Sequence, residues 1–286
     1  MKSDAFRFAL GKFQCLALLD GISRYPAGAF FTNVQKEKYE SMLCGRGESA
    51  EEIAVPYIPL CIDAGNERVL VDTGMGAGAP SGGRLLSRLR AEGIEPRDIG
   101  TVIISHAHPD HVGANLDDRG KPAFPKARYV ISKEEWDFWL SPGSRAEAQG
   151  GDYFQEVLVP FAQKNLLGIQ GQVELLEQET EILPGISAIS APGHTPGHIA
   201  LSISSGAEQL VYLGDAVCHP LHLEYPETLI AFDLQPIEVV RSRRRLLRKA
   251  AREAALVHSY HFPYPGLGYV IAKDEGWQWE PLKAAE

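Results

Sequence analysis

Ser105-His106-Ala107-His108-Pro109-Asp110-His111 begins where the apolar, β-rich run Thr101–Ser105 ends, and that run reads as a buried strand. Three imidazoles and a carboxylate at a strand end turning into a helix can converge as borderline and hard metal ligands. His106 and His108, two positions apart, project the same way while extended geometry persists. Asp110 and His111 fall on the following turn and can face a second ion.

Further along lie three pieces that are weaker when taken singly. Gly193-His194-Thr195-Pro196-Gly197-His198 is a tight Gly/Pro turn that fixes the direction of His194. His198, at the start of the next strand, reads as a structural partner rather than a ligand. Gly214-Asp215 follows the apolar run Leu210–Leu213, and Ser259-Tyr260-His261-Phe262-Pro263 follows Leu256-Val257. A lone Gly-Asp is more often a turn, and a lone His261 more often a core or surface histidine.

Around these pieces the chain reads as two strand-rich blocks, each followed by helices. Strands are expected at Phe13–Leu19, Ala54–Ile62, Arg68–Asp72, Ala127–Ser132, Val173–Glu177, Ile186–Ala191, Ile199–Ser204, Gln209–Leu213, Tyr269–Ala272 and Trp277–Trp279. Gly82–Gly93 has leucines at helical spacing. Ser132 with Glu135 has the spacing of a capping box, and Asp152–Leu167 reads as a helix kinked at Pro160. Pro236 fits the first turn of a helix running to about Ala255. The stretch 25–52 has no sustained period, yet Phe30, Phe31 and Tyr39 need burial, so it reads as a pocket-forming excursion. One domain over residues 1–286 is the expected organisation.

Together the four His/Asp pieces resemble the metallo-β-lactamase superfamily, whose ligand order is HxHxDH followed by His, Asp and His. Asp72-Thr73-Gly74 is similar to that family's structural Asp-Thr-Gly element. The resemblance implies an α/β fold, the αββα sandwich of two mixed β-sheets flanked by helices. It also implies two divalent metal ions, with zinc expected and iron, manganese or cobalt as alternatives. Carried over, His106, His108 and His194 would hold one ion, and Asp110, His111 and His261 the other. Asp215 would bridge them. A metal-bridged hydroxide would then attack the substrate, with Asp110 and Asp215 as the catalytic carboxylates.

Thirty-seven acidic residues against 28 Lys and Arg give a net charge of −9, a poor balance for holding a polyanion. Nucleic acid and membrane are therefore not expected partners. The basic run from Arg241 to Arg252 shares a helix with Val240, Leu247 and Ala251 and reads as its solvated face. Four cysteines without CxxC spacing, no export signal and no bilayer-length apolar run lead us to expect a cytoplasmic protein, with monomer and homodimer both open.

The tail His261-Phe262-Pro263-Tyr264-Pro265-Gly266 resembles the final-ligand segment of the lactonase and methyl parathion hydrolase-like branch. That implies a hydrolase acting on a small-molecule lactone or carboxyl ester, with acyl-homoserine lactones the leading guess. A phosphotriester hydrolase is the alternative, and a thioesterase or β-lactamase is further off. Phe30, Phe31, Tyr57, His219, His222, Phe262 and Tyr264 are the expected substrate-pocket residues. Cys218 reads as buried and structural.

Overall fold

Val69, Leu70 and Val71 are all fully buried, though successive side chains of a strand point to opposite faces. A strand apolar on both sides needs cover on both sides, and the architecture provides it. The computed structural model describes residues 4–141 and 151–282. Strands β1 (Ala5–Leu10), β2 (Phe13–Leu18), β5 (Leu60–Asp63), β6 (Arg68–Val71), β7 (Thr101–Ile103), β8 (Arg128–Ser132) and β9 (Val173–Leu176) form one sheet in that order. Strands β10 (Glu181–Leu183), β11 (Ile186–Ser190), β12 (Ile199–Ser205), β13 (Glu208–Tyr212), β14 (Leu256–His258), β15 (Leu267–Lys273) and β16 (Gly276–Pro281) form the second. Both are mixed. The β6-β7-β8-β9 pairings and the β13-β14 pairing are parallel, and the others are antiparallel.

The inner faces meet in one core, where Val69, Val71, Ile103 and Val130 of the first sheet join Ile186, Leu201, Ile203 and Leu210 of the second. Outside the first sheet, Leu70, Val102, Ile104 and Tyr129 pack with Leu85, Leu89, Phe138 and Trp139 from helices Leu85–Ala91 and Lys133–Leu140. Outside the second, Ala200, Val211 and Val257 pack with Leu246, Leu247 and Ala250 from the helix Pro236–Glu253. This is the expected αββα sandwich. No helix among the described residues is long and apolar enough to cross a membrane.

Besides strands that the pattern did not announce, such as β1 and β10, the chain departs from the expected elements in three places. The expected strand Ala54–Ile62 is two strands: β4 (Glu52–Tyr57) pairs with β3 (Gly21–Pro26) in a separate ladder, and only β5 enters the large sheet. Pro59 lies in the break and has no N–H for a ladder. Within the excursion, Lys36–Gly45 is a helix that buries only Leu43, too little for a periodic signal. The buried stripe of the basic helix is Val239, Ser242, Arg243, Leu246, Leu247 and Ala250, so Val240 is not its core residue and Arg243 is not on its solvated face. Arg243 is fully buried, and its guanidinium donates to the carbonyls of Ala216 (2.7 Å), Pro226 (2.9 Å) and Thr228.

Candidate metal centre

The seven expected ligands all come from segments at the same edge of the two sheets. His106, His108, Asp110 and His111 follow β7, while His194, Asp215 and His261 follow β11, β13 and β14. The Ile199 N–H donates to the Ser105 carbonyl at 3.0 Å, joining the sheets at this edge.

Asp72, directly after β6, holds a left-handed φ of 60°. That conformation is costly for a side-chain-bearing residue and persists only when surrounding bonds fix it. The Ser105 N–H donates to its Oδ1 at 2.7 Å, and the Ser105 hydroxyl (2.7 Å), His111 Nδ1 (2.8 Å) and Tyr212 hydroxyl (2.5 Å) all meet its Oδ2. His194 Nδ1 lies 3.0 Å from Asp233 Oδ1, and His261 Nδ1 lies 3.0 Å from the Pro56 carbonyl. With Nδ1 donating in each case, Nε2 of His111, His194 and His261 is left facing the centre, as metal-binding histidines are commonly oriented.

His106 Nε2, His108 Nδ1 and His194 Nε2 converge, the first pair 3.0 Å apart and the second 2.9 Å. Asp110 Oδ2 lies 3.5 Å from both His111 Nε2 and His261 Nε2. Asp215 stands between the two groups. Its Oδ1 is 3.2 Å from His111, and its Oδ2 is 3.0 Å from His261, 3.4 Å from His194 and 3.9 Å from His106.

Burial, reinforced by the neighbouring histidines, pushes His106 and His108 well below the ordinary imidazole range, so both present lone pairs. Burial also resists charge on His111, but Asp215, Asp110 and Asp72 override it and raise its pKa, so the local field favours positive charge. His108 Nε2, His111 Nε2 and Asp215 Oδ1 are buried with no hydrogen-bond partner. Converging imidazole nitrogens and an orphaned carboxylate oxygen in a field that attracts cations suit divalent metal ions with N/O donors.

The residues that hold these loops lie outside the histidine motifs. Glu135 is fully buried. Its Oε1 accepts from the Ala107 N–H (2.9 Å) and Trp139 Nε1–H (2.7 Å), and its Oε2 from the Thr195 hydroxyl (2.6 Å) and Gly197 N–H (3.1 Å). The Glu135 N–H does donate to Ser132 Oγ at 3.1 Å, so its sequence signal as a helix start was sound. Its side chain, however, ties together the His106–His108 and His194 loops. Asp20 plays the same part beside Asp72-Thr73-Gly74, accepting N–H groups from Met75, Gly83 and Leu85. Neither role has a local sequence signal.

His198 fastens backbone instead of facing the centre. Its Nδ1–H donates to the Ala191 carbonyl at 3.1 Å, and its Nε2 accepts the Asp215 N–H at 3.0 Å. Burial pushes its pKa down to about 3. Gly214 has φ 51° and runs so close that a Cβ there would sit 2.5 Å from His198 Nε2.

A cavity enclosing about 630 Å³, part of it open to solvent, leads to the centre. Phe30 and Tyr57 line it with Val55, Ile230 and Phe232; Tyr25 adds a hydroxyl and Cys218 a thiol. The other expected pocket residues lie elsewhere. Phe31 is buried and stacks on Tyr39 at 5.4 Å. His219 Nε2 is 2.8 Å from Glu48, and His222 Nε2 is 3.0 Å from the Phe30 carbonyl, so both histidines fasten the excursion from behind the pocket wall. Phe262 belongs to the outer core of the second sheet, edge-on to Trp279 at 4.9 Å. Tyr264 packs against the main core, its hydroxyl 3.5 Å from the Ala17 carbonyl.

Known proteins resemble this chain in sequence and fold. An N-acyl homoserine lactonase of a Bacillus species is 30% identical over 122 residues, 43% of this chain and 40% of that protein. The lactonase AiiA of Bacillus thuringiensis subsp. kurstaki is 26% identical over 179 residues, 62% of each chain. The matched stretches thus span less than two thirds of these curated relatives. Among solved structures, AidC, a dizinc quorum-quenching lactonase in complex with a product, superposes with a TM-score of 0.91 at 28% identity, covering 99% of this chain and 100% of AidC. The hydrolase AbOPH shares the fold, with a TM-score of 0.92 at 24% identity and both chains fully covered. The model of the Metallo-beta-lactamase superfamily matches residues 61–261, the interval that runs from β5 through the last of the seven convergent side chains, and the chain belongs to that superfamily.

Proposed function

We propose that this chain is a hydrolase holding two divalent metal ions, most suitably zinc, and that it opens the ring of a neutral lactone. N-acyl homoserine lactones are the leading substrates. The observation that carries this reading is the placement of Asp215 between two groups of imidazole nitrogens at the floor of a largely apolar cavity. His106, His108 and His194 would hold one ion, Asp110, His111 and His261 the other, and Asp215 both. Such a pair supplies Lewis acidity and lowers the pKa of water from 15.7 to about 7.

The chain's own residues supply the rest. Phe30, Val55, Ile230 and Phe232 offer apolar cover for an acyl chain. Asp110, whose side chain is 17% exposed, is the least buried of the seven and faces the cavity, where its carboxylate can take the proton released by the attacking water and hand it to the departing oxygen. The lactonase relatives and AidC support the substrate class. Residues 1–286 act as one domain in this reading, because both sheets feed a single core. Four free cysteines suit the cytoplasm, the location we assign.

Elemental analysis after metal-replete expression should give close to two transition-metal ions per chain. A pH-stat assay across acyl-homoserine lactones, simple lactones, aryl esters and a phosphotriester should find a lactone turned over fastest. Fastest turnover of the phosphotriester would replace the substrate reading, since the same centre can direct attack at phosphorus. Absence of metal uptake on titration would sink the centre itself.

A further inference from the structure

Two tyrosines stand out on the otherwise apolar side of the cavity. Tyr25, the fifth residue of β3, pairs with Ile53, and Tyr57, the last of β4, pairs with Gly21, so the two stand towards opposite ends of the small ladder; their long side chains nevertheless bring the hydroxyls within 2.8 Å. Both line the cavity together with Asp110, Asp215 and His261. The Tyr57 ring meets the His261 ring edge-on at 5.8 Å. Tyr25 is flanked by Phe30 at 6.1 Å and Phe232 at 6.4 Å, both cavity walls.

Two hydroxyls carry two protons, and the bond between them uses one. The other remains for a further acceptor. Ser23, itself 2.6 Å from Ser81, is the remaining hydroxyl beside the pair. Burial, with the Asp110 carboxylate adding to it, pushes Tyr25 up to about 12 and Tyr57 higher still, so both phenols keep their protons at neutral pH. Even with one bond to Ser23, the four hydroxyls of Ser81, Ser23, Tyr25 and Tyr57 share three bonds and keep one proton that an acceptor entering the chamber can take.

We infer that the Tyr25–Tyr57 pair is the hydrogen-bond donor through which the cavity grips an oxygen of the substrate's ester group. The inference rests on the hydrolase reading above but not on the lactone, because lactones, aryl esters and phosphotriesters all carry an oxygen acceptor. The pair contributes no covalent step.

The test uses the metal-loaded, full-length protein and whichever substrate the wild type turns over fastest. Tyr25→Phe, Tyr57→Phe and the double variant are compared for kcat/KM, metal content, thermal midpoint and calorimetric binding of that substrate's hydrolysis product. Because the two hydroxyls act as one donor, each single variant should lose about 10- to 100-fold in kcat/KM, a range equal to 1.4–2.7 kcal/mol. The double variant should fall no further than the worse single. Product binding should weaken by roughly tenfold with metal content unchanged. Tyr25→Phe, at the more exposed position, keeps the test alive if Tyr57→Phe does not fold. Kinetics and product binding within twofold of wild type, with or without a lowered thermal midpoint, would make the pair a mere tie across the β3–β4 ladder and overturn the inference. Failure to open any lactone while another ester is hydrolysed would instead sink the lactone reading and leave this test intact.

Discussion

Removing Glu135 should cost more than removing any single hydrophobic contact around it, although it touches neither the cavity nor an expected ligand side chain. Its two oxygens accept four donors: the Ala107 N–H, Trp139 Nε1–H, Thr195 hydroxyl and Gly197 N–H. A buried donor left without an acceptor costs about 1–3 kcal/mol. In Glu135→Gln the retained oxygen keeps Ala107 and Trp139 bonded, and the Thr195 hydroxyl can turn to accept from the new amide. The Gly197 N–H is then orphaned and the Thr195 O–H must find another acceptor, so the loss should be about 1–3 kcal/mol or somewhat more. Glu135→Ala orphans all four, and a loss of about 4 kcal/mol or more is expected even where water enters the space. Gly197 admits no compensating shift, since a Cβ there would already lie 2.0 Å from the Glu135 nitrogen. The pinned loops carry His106, His108 and His194, so the ion assigned to that triad should weaken first, by roughly 10- to 100-fold. Denaturant unfolding of the metal-free protein reads the first effect, and competition with a chromogenic chelator reads the second. If Glu135→Ala unfolds within about 1 kcal/mol of wild type and releases both ions with native affinity, the carboxylate is not what holds the two loops together.

Asp215→Asn keeps the shape but halves the donor strength at the position shared by both groups, so metal content and kcat should fall together. Metal affinity should drop by roughly 10-fold or more, and two retained ions with native turnover would remove Asp215 from the bridge. Glu48→Gln tests the fastening behind the pocket wall. Burial resists ionisation of Glu48, but its bonds to His219 and Arg46 hold it down at about 2 against the ordinary 4.5. A depressed carboxylate stabilises above its unfolded pKa, and that contribution is lost as pH falls from about 4.5 towards 2. The wild-type advantage in thermal midpoint should therefore be present at pH 7 and shrink below 4.5, amounting to less than about 1 kcal/mol because the side chain is a third exposed. An advantage that stays constant or grows on acidification would refute the assignment.

The seven convergent side chains were legible because each follows a short apolar strand and because together they match the ligand order of the superfamily; taken singly, Asp215 and His261 carry no such signal. What was illegible shares a physical cause: the partner is backbone. Glu135 reaches Gly197 across about sixty residues, and Asp20 reaches Leu85 across sixty-five, through N–H groups that every residue but proline possesses. No residue type marks such an acceptor's target in advance. The misplacement of Phe262 has a different origin. A Pro-rich aromatic loop next to a ligand resembles a pocket wall, yet the ring turns outward against Trp279 and fills the second sheet's outer core. The one-residue error in the buried stripe of the basic helix arose because Arg243 was read as solvent-facing. Its three carbonyl partners lie in the segment after Asp215, where nothing local announces them.

Two buried carboxylates bind both sheets without entering the cavity. Asp72, after β6, holds Ser105 and His111 and receives the hydroxyl of Tyr212 from β13; Glu135, from the helix after β8, holds Ala107 on one side and Thr195 and Gly197 on the other. Every one of those bonds is made by protein groups alone. The rings of His106, His111 and His194 are held through Nδ1 by Ser105, Asp72 and Asp233, and the backbone beside His108 by Glu135, so an arriving cation would meet nitrogens already aimed. Such a centre differs from a metal site that folds around its ion, where binding free energy is folding free energy. Here the ions would join two halves that the carboxylates already join, and the ordering entropy that loose ligands must lose on binding has been spent during folding.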